Sequence, residues 1–276
     1  MMDFVEQRKC YYRFFEGIGI DVGPFNKPFF DNPSQYNVEV KYCDHCMPEE
    51  LKMRFPEIKD LDPVTPHFIC DVSKEGLSFT NDEAYDFVIF SHLIEHMANP
   101  FFSIKDAFRV LKTGGVLYIS APDCRFSDDQ GRPKSTWKEL ESLFLNDVRE
   151  IADSYVLAYL KSPVISKIPW VQEVLRNPKL LTKEVFDNER KRSFHVHVWD
   201  RTSFFQHVAW FLLKYQFPFT LLDLAVYENN SYENIIVLRK AQTYSAERLF
   251  QDITNLYRLR SKSKGCDLGK KEEEIQ

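Results

Sequence analysis

The order of apolar segments predicts an α/β protein built on a doubly wound, mostly parallel sheet with its last strand antiparallel. Three observations carry this expectation. Between residues 18 and 120 short apolar runs alternate with amphipathic stretches, the rhythm of successive strand–helix–strand units. The run Phe87–Phe90 is apolar at every position, as a parallel strand covered on both faces should be. The last two runs, Phe217–Val226 and Asn234–Arg239, are joined through Glu228-Asn229-Asn230-Ser231. So short a connection makes that pair antiparallel.

Each element follows in turn. Val5–Phe15 mixes charges and aromatics at helical spacing and is expected to cap one edge of the sheet. Ile18–Val22 is a buried strand ended by Gly23-Pro24, a pair that turns the chain. Val38–Tyr42 is the second strand, with a helix after it near Glu49–Phe55, and Phe68–Cys70 is the third, ended by Asp71. Phe87–Phe90 is the fourth. In Pro100–Leu111, Phe101, Ile104, Ala107, Phe108 and Leu111 recur at three and four residues, which predicts a helix stopped by Thr113-Gly114-Gly115. Val116–Ser120 is the fifth strand.

The rhythm then breaks. Residues 122–199 are rich in Pro, Arg, Asp and Ser, with a helical stretch over Trp137–Leu160. An insertion after the fifth strand is expected to cover the carboxyl edge of the sheet, where such folds bind ligands. Thr202–Lys214 is a further helix, N-capped by Asp200. Ala246–Leu259 is amphipathic through Leu249, Ile253, Leu256 and Leu259, and is expected to pack on the body or on a second copy in a homodimer. One domain over 1–240 with its insertion at 122–199, a C-terminal helix over 241–262 and a disordered tail over 263–276 complete the expected organisation.

Composition narrows the function. A 44% hydrophobic, 28% charged chain can bury a real core. Its net charge of −5 argues against nucleic acid as main partner, because phosphate binding relies on clustered cations. Asp3, Glu6, Arg8 and Lys9 stand where a signal peptide needs an apolar run. The apolar stretch around Trp210–Leu213 is too short to span a bilayer, so a cytoplasmic chain is expected. Six cysteines without framework spacing read as free thiols. Cys43-x-x-Cys46 lacks a second ligand pair, and no metal is expected there.

Chemistry collects at the strand ends. Asp21-Val22-Gly23 closes the first strand, Asp44 the second, Asp71 the third and Ser91-His92 the fourth. In a parallel sheet these ends line one crevice. A nucleoside ligand would use them in a natural order. Gly23, lacking a Cβ, admits close backbone approach. Asp44, with His45 beside it, could take both ribose hydroxyls. Asp71 could accept from the exocyclic amine of adenine with the Val72 backbone nearby, and Asp21 could support an amino-acid ammonium. The segment Gly17-Ile18-Gly19-Ile20-Asp21-Val22-Gly23 does not spell the dinucleotide fingerprint G-x-G-x-x-G.

The stretches IGIDVGPFNKP, YCDHCMPEEL, FSHLIEHMANPFFSIKDAFRVLKTGGVLYISAPD, HVHVWD and NNSYENIIVLRK resemble the class I S-adenosylmethionine-dependent methyltransferases. More narrowly they resemble the members associated with bacterial surface-polysaccharide (capsule and lipopolysaccharide) synthesis. The resemblance implies a seven-stranded Rossmann-like sheet and S-adenosylmethionine as cofactor. It places the methionine part at Asp21, Val22 and Gly23, the ribose at Asp44, the adenine at Asp71 and Val72, and the sulfonium near Ser91 and His92. Here only Gly23 remains of the common G-x-G-x-G loop, followed by Pro24-Phe25.

For the acceptor, His195 and His197 alternate with Val196 and Val198, so an extended segment would turn both imidazoles to one side as candidate bases, with His92 a third. His92 and His96, four residues apart, would share a face if helical, a spacing that can also bind zinc, although methyl transfer does not require it. His96, Arg125, Asp128 and Arg132 are candidate acceptor contacts, and arginine forks there suit an anionic small molecule or glycan. The expected reaction is methyl transfer to oxygen on a carbohydrate or carbohydrate-linked phosphate. An NAD(P)-dependent oxidoreductase and a non-catalytic nucleoside-binding protein are the alternatives.

Overall fold

The computed structural model describes residues 8–224 and 233–245, together with 247 and 251. Seven strands form one sheet: β1 (Gly17–Val22), β2 (Val38–Asp44), β3 (Phe68–Ile69), β4 (Tyr85–Ser91), β5 (Leu111–Pro122), β6 (Phe219–Leu224) and β7 (Glu233–Lys240). Their order is β3-β2-β1-β4-β5-β7-β6. The pairs from β3 to β5 are parallel, and β7 runs antiparallel to both β5 and β6. An antiparallel strand set between β5 and β6 departs from the 3-2-1-4-5-6 order of dinucleotide folds. The expected connection at 228–231, the helix at 246–259 and the tail lie largely or wholly outside the described residues.

The helices are α1 (Pro48–Arg54), α2 (Val72–Glu75), α3 (Pro100–Val110), α4 (Trp137–Leu145), α5 (Asp153–Leu160), α6 (Pro169–Arg176), α7 (Lys183–Lys191) and α8 (Arg201–Lys214). Alternation along the strands decides what each covers. On one face Val88, Phe90, Leu117 and Ile119 meet Phe101 and Ile104 of α3 and Phe204, Val208 and Phe211 of α8. Phe101 and Phe211 stack at 4.4 Å, and burying each contributes about 2–3 kcal/mol.

On the other face Phe87, Ile89, Val116 and Tyr118 meet Tyr11, Tyr12, Phe15, Phe29 and Phe30. The N-terminal segment therefore covers the middle of a face and does not cap an edge. Residues 23–37 hold no α-helix, only a 3-10 turn at Pro33–Gln35. Three prolines in that stretch oppose a helix, and packed rings cover the sheet in its place. Gly19 makes room for this layer: a Cβ there would lie 2.1 Å from the Phe87 ring.

Two local expectations are corrected. Helix α3 ends at Val110 and passes straight into β5, so Gly114 and Gly115 lie inside the strand. The stretch Trp137–Leu160 is two helices, because the chain turns at Asn146-Asp147, with Asp147 at φ +47°.

Residues 123–200 form a helical layer between β5 and α8. An isolated bridge of Asp123 with Trp199 closes its neck, and Val156, Leu160, Val171, Phe194 and Val196 give it a core of its own.

Candidate active site

Strand register brings the expected residues abreast. Val22 pairs with Cys43 on one side and Phe90 on the other, so β1, β2 and β4 end side by side. Winding reverses between β1 and β4, and in open sheets ligands bind outside the carboxyl ends at such a switch point. A cavity of about 1060 Å³ opens there. Val22, Gly23, Asp44, His45, Asp71, Val72, Ser91, His92 and His96 all line it.

Gly23 turns the chain at φ +67°, a conformation that favours glycine, and its amide donates to the Cys43 carbonyl at 2.8 Å. Asp44 is buried, and its Oδ1 accepts from the His45 amide at 2.7 Å and meets His45 Nδ1 at 2.8 Å. Asp71 stands half-exposed at the start of α2, with Lys74 Nζ 3.5 Å from its Oδ2. Cys46 packs with Leu51 and Ile58, so the C-x-x-C pair belongs to the core. Burial pushes its thiol up to about 11.

Asp21 does not line the cavity. It is buried beneath it, and its Oδ2 accepts from the Phe29 amide at 2.8 Å. That bond ties the loop after β1 to the strand.

His92 takes a left-handed backbone, φ +53°, and its amide donates to the Ser120 carbonyl. Its Nε2 donates to Glu233 Oε1 at 2.5 Å, and its Nδ1 lies 3.3 Å from Glu95 Oε1. Burial opposes its charge, but the two carboxylates prevail and push it up to about 9. Its ring is thus held between two carboxylates.

The other imidazoles are corrected likewise. Residues 194–198 are not a strand: the Val196 and His197 amides both donate to the Glu95 carbonyl, at 2.7 and 3.0 Å. Val196, His197 and Val198 are all buried. His197 sits 3.3 Å from Ser135 Oγ, away from the cavity wall, and burial pushes it down to about 4. His195 donates through Nδ1 to Asp129 Oδ2 at 2.7 Å. Burial works against its charge, yet Asp129 raises it above the ordinary histidine value.

Neither expected arginine fork reaches the cavity. Arg125 grips Asp123 at 2.6–3.2 Å, Arg132 pairs with Asp129 and donates to the His195 carbonyl, and Asp128 is exposed outside the wall. The cations that do line it are others: Arg8, Lys27, Arg54 and Lys74, with Arg149, Lys183, Arg190, Lys191 and Arg192 from the helical layer. The run Arg190-Lys191-Arg192 at the end of α7 was the sequence signal for them. Arg190 is fixed by the Ile151 carbonyl, Asp153 and Asp187. Glu95 and Glu233, which hold His92, are further residues missing from the sequence reading.

The segment from residue 57 to residue 119, which carries Asp71, Ser91, His92 and Glu95, matches the family described as "Methyltransferase domain".

Among solved structures, a protein from Rhodobacter sphaeroides provisionally named a Zn-dependent alcohol dehydrogenase shares this chain's fold. It has 12% identity and a TM-score of 0.51 over 85% of this chain and 89% of that one. A SAM-dependent methyltransferase from Aquifex aeolicus aligns at 13% identity and TM-score 0.43 over 86% and 90% of the two chains. Phosphoethanolamine N-methyltransferase 2 of Haemonchus contortus, solved with S-adenosyl-L-methionine, aligns at 16% and 0.36 over 86% and 53%. No curated protein matched the chain. No helix among the described residues is long and apolar enough to cross a membrane.

Proposed function

We propose that the protein transfers the methyl group of S-adenosylmethionine to an oxygen of an anionic carbohydrate acceptor, a nucleotide-linked sugar or a phosphorylated glycan. The observation that carries this reading is one cavity that holds the strand-end carboxylates Asp44 and Asp71 together with an excess of cations, five of them from the helical layer, where Glu150, Asp153 and Asp187 also line it. Its 1060 Å³ exceeds the 300–1,000 Å³ or so typical of one small-ligand pocket. Donor and acceptor have room together. Placement in surface-polysaccharide synthesis follows from the resemblance of the strand-end motifs.

The residues fit the donor. Gly23 offers a wall without a Cβ, and Asp44 keeps Oδ2 for a ribose, since His45 occupies Oδ1. Asp71 and the Val72 backbone serve the adenine, with Ser91 and His92 nearest the reacting centre. Bound there, the sulfonium supplies a methyl group activated for in-line displacement. The protein's own contribution is alignment and exclusion of water. Residues 122–199 act as the acceptor lid, and their cations would hold an anionic acceptor over the donor. A phosphate oxygen is already ionised, so this acceptor needs no base, in keeping with the pairing of His92 to carboxylates and the burial of His197.

Asp44→Ala is expected to weaken adenosylhomocysteine binding about 10- to 100-fold, the loss of a charged hydrogen-bond acceptor, with an unchanged melting profile. Unchanged calorimetric affinity would remove Asp44 from the donor site.

A further inference from the structure

Glu95, His96 and His195 come from two segments about a hundred residues apart, yet their ligand atoms all lie within 4.8 Å of one another. Glu95 is fully buried, and its Oε1 lies 3.3 Å from His92 Nδ1. Each histidine is fixed from its far side. His96 donates through Nδ1 to the Phe194 carbonyl at 3.0 Å, and His195 through Nδ1 to Asp129 at 2.7 Å. Both rings therefore have Nε2 left for the cluster, and His96 Nε2 is 3.9 Å from Glu95 Oε1. The rings stand at 65° with centroids 4.8 Å apart.

A carbonyl or a carboxylate behind Nδ1 is the arrangement that orients a metal-bound imidazole. We propose that Glu95, His96 and His195 bind a divalent first-row transition metal, zinc foremost, at the wall of the cavity. Ligand atoms around a tetrahedral zinc are roughly 3.3 Å apart for bonds near 2.05 Å, so the cluster closes by small side-chain movements. Two imidazoles and one carboxylate suit zinc, whereas magnesium and calcium prefer all-oxygen sets. Three protein ligands leave a fourth position open. His96 lines the cavity, so an ion held here is at its edge. When an ion takes up the charge of Glu95, His92 keeps its partner Glu233 at 2.5 Å. The proposal is independent of the methyl-transfer reading, since no donor-binding residue belongs to the cluster.

The test uses the full chain, stripped with chelator and titrated separately with Zn²⁺ and Co²⁺. Calorimetry should give one equivalent, and the cobalt form should show visible bands of nitrogen and oxygen ligation without a thiolate charge-transfer band. His195→Ala removes a partly exposed ligand and is expected to weaken zinc at least about 10- to 100-fold, with circular dichroism unchanged. Asp129→Asn, which keeps the ligand and alters its support, should fall between. Glu95→Gln gives a near-isosteric second variant should His195→Ala melt early. No zinc uptake by the wild type at micromolar concentration overturns the proposal. So does wild-type zinc affinity in both His195→Ala and Glu95→Gln, or a thiolate band, which would move the ion to Cys43 and Cys46. Loss of zinc binding with adenosylhomocysteine affinity intact supports it and leaves the donor site standing.

Discussion

At Asp21, burial and charge oppose each other at a single carboxyl. Burial raises its pKa first and most, Phe29 and Arg8 lower it, and Asp44 raises it again, leaving it up at about 6 against an ordinary 3.8. The sign follows from linkage. A raised folded value means that ionising the group costs the folded state more than the unfolded chain. Its contribution to stability is greatest below about pH 4 and declines as pH rises through 6. Asn keeps an oxygen for the Phe29 amide and removes the charge. Asp21→Asn is therefore expected to melt above the wild type at pH 8, with the gap narrowing at pH 5. A lower melting point at both pH values would mean that the ionised carboxylate, through Arg8, stabilises the fold.

Helix α8 shows how one residue sets an element. Asp200 Oδ1 accepts from the Ser203 amide at 2.8 Å while Ser203 Oγ accepts from the Asp200 amide at 3.1 Å, a reciprocal capping box. Lys134 Nζ donates to the other carboxylate oxygen at 2.6 Å. Burial pushes this carboxyl up, but Lys134 and Ser203 outweigh it and hold it down at about 2. A depressed acid stabilises above its unfolded value, near 4, and loses that contribution as pH falls towards 2. Asp200→Ala is expected to cost about 1 kcal/mol in urea denaturation at pH 7. The difference from wild type should shrink between pH 4 and pH 3. A difference independent of pH would mean that the cap works without its charge.

Across the whole molecule, a chain of net charge −5 gathers an excess of cations around one cavity. Such a field draws an anionic ligand and weakens as salt screens it. Lys183 and Lys191 lie exposed on the rim. The double variant Lys183→Glu, Lys191→Glu is expected to raise KM for an anionic acceptor roughly tenfold, with kcat and adenosylhomocysteine affinity little changed. The effect should fade at high salt. An unaltered KM would place the acceptor away from this rim.

The strands, the helix over 100–110 and the cap at Asp200 were legible in the sequence because they rest on local signals: alternation along a strand, 3.6-residue recurrence, a capping residue. Asp44, Asp71, Gly23 and Ser91 were legible for a related reason, since parallel strands must end on one side of their sheet. Where side chains met across the fold, local signals ran out. The valine–histidine alternation at 195–198 implied a strand, yet both amides turn to one carbonyl and His197 is buried. Arg125 and Arg132 looked free for a ligand but satisfy carboxylates within their own segment. Thus the order of residues alone determined the sheet and the rim where its parallel strands end. Only the tertiary structure decided which cations face that rim, and that His96 and His195 converge on Glu95. Those meetings depend on the path of a helical layer whose own packing carries no periodic mark of what it covers.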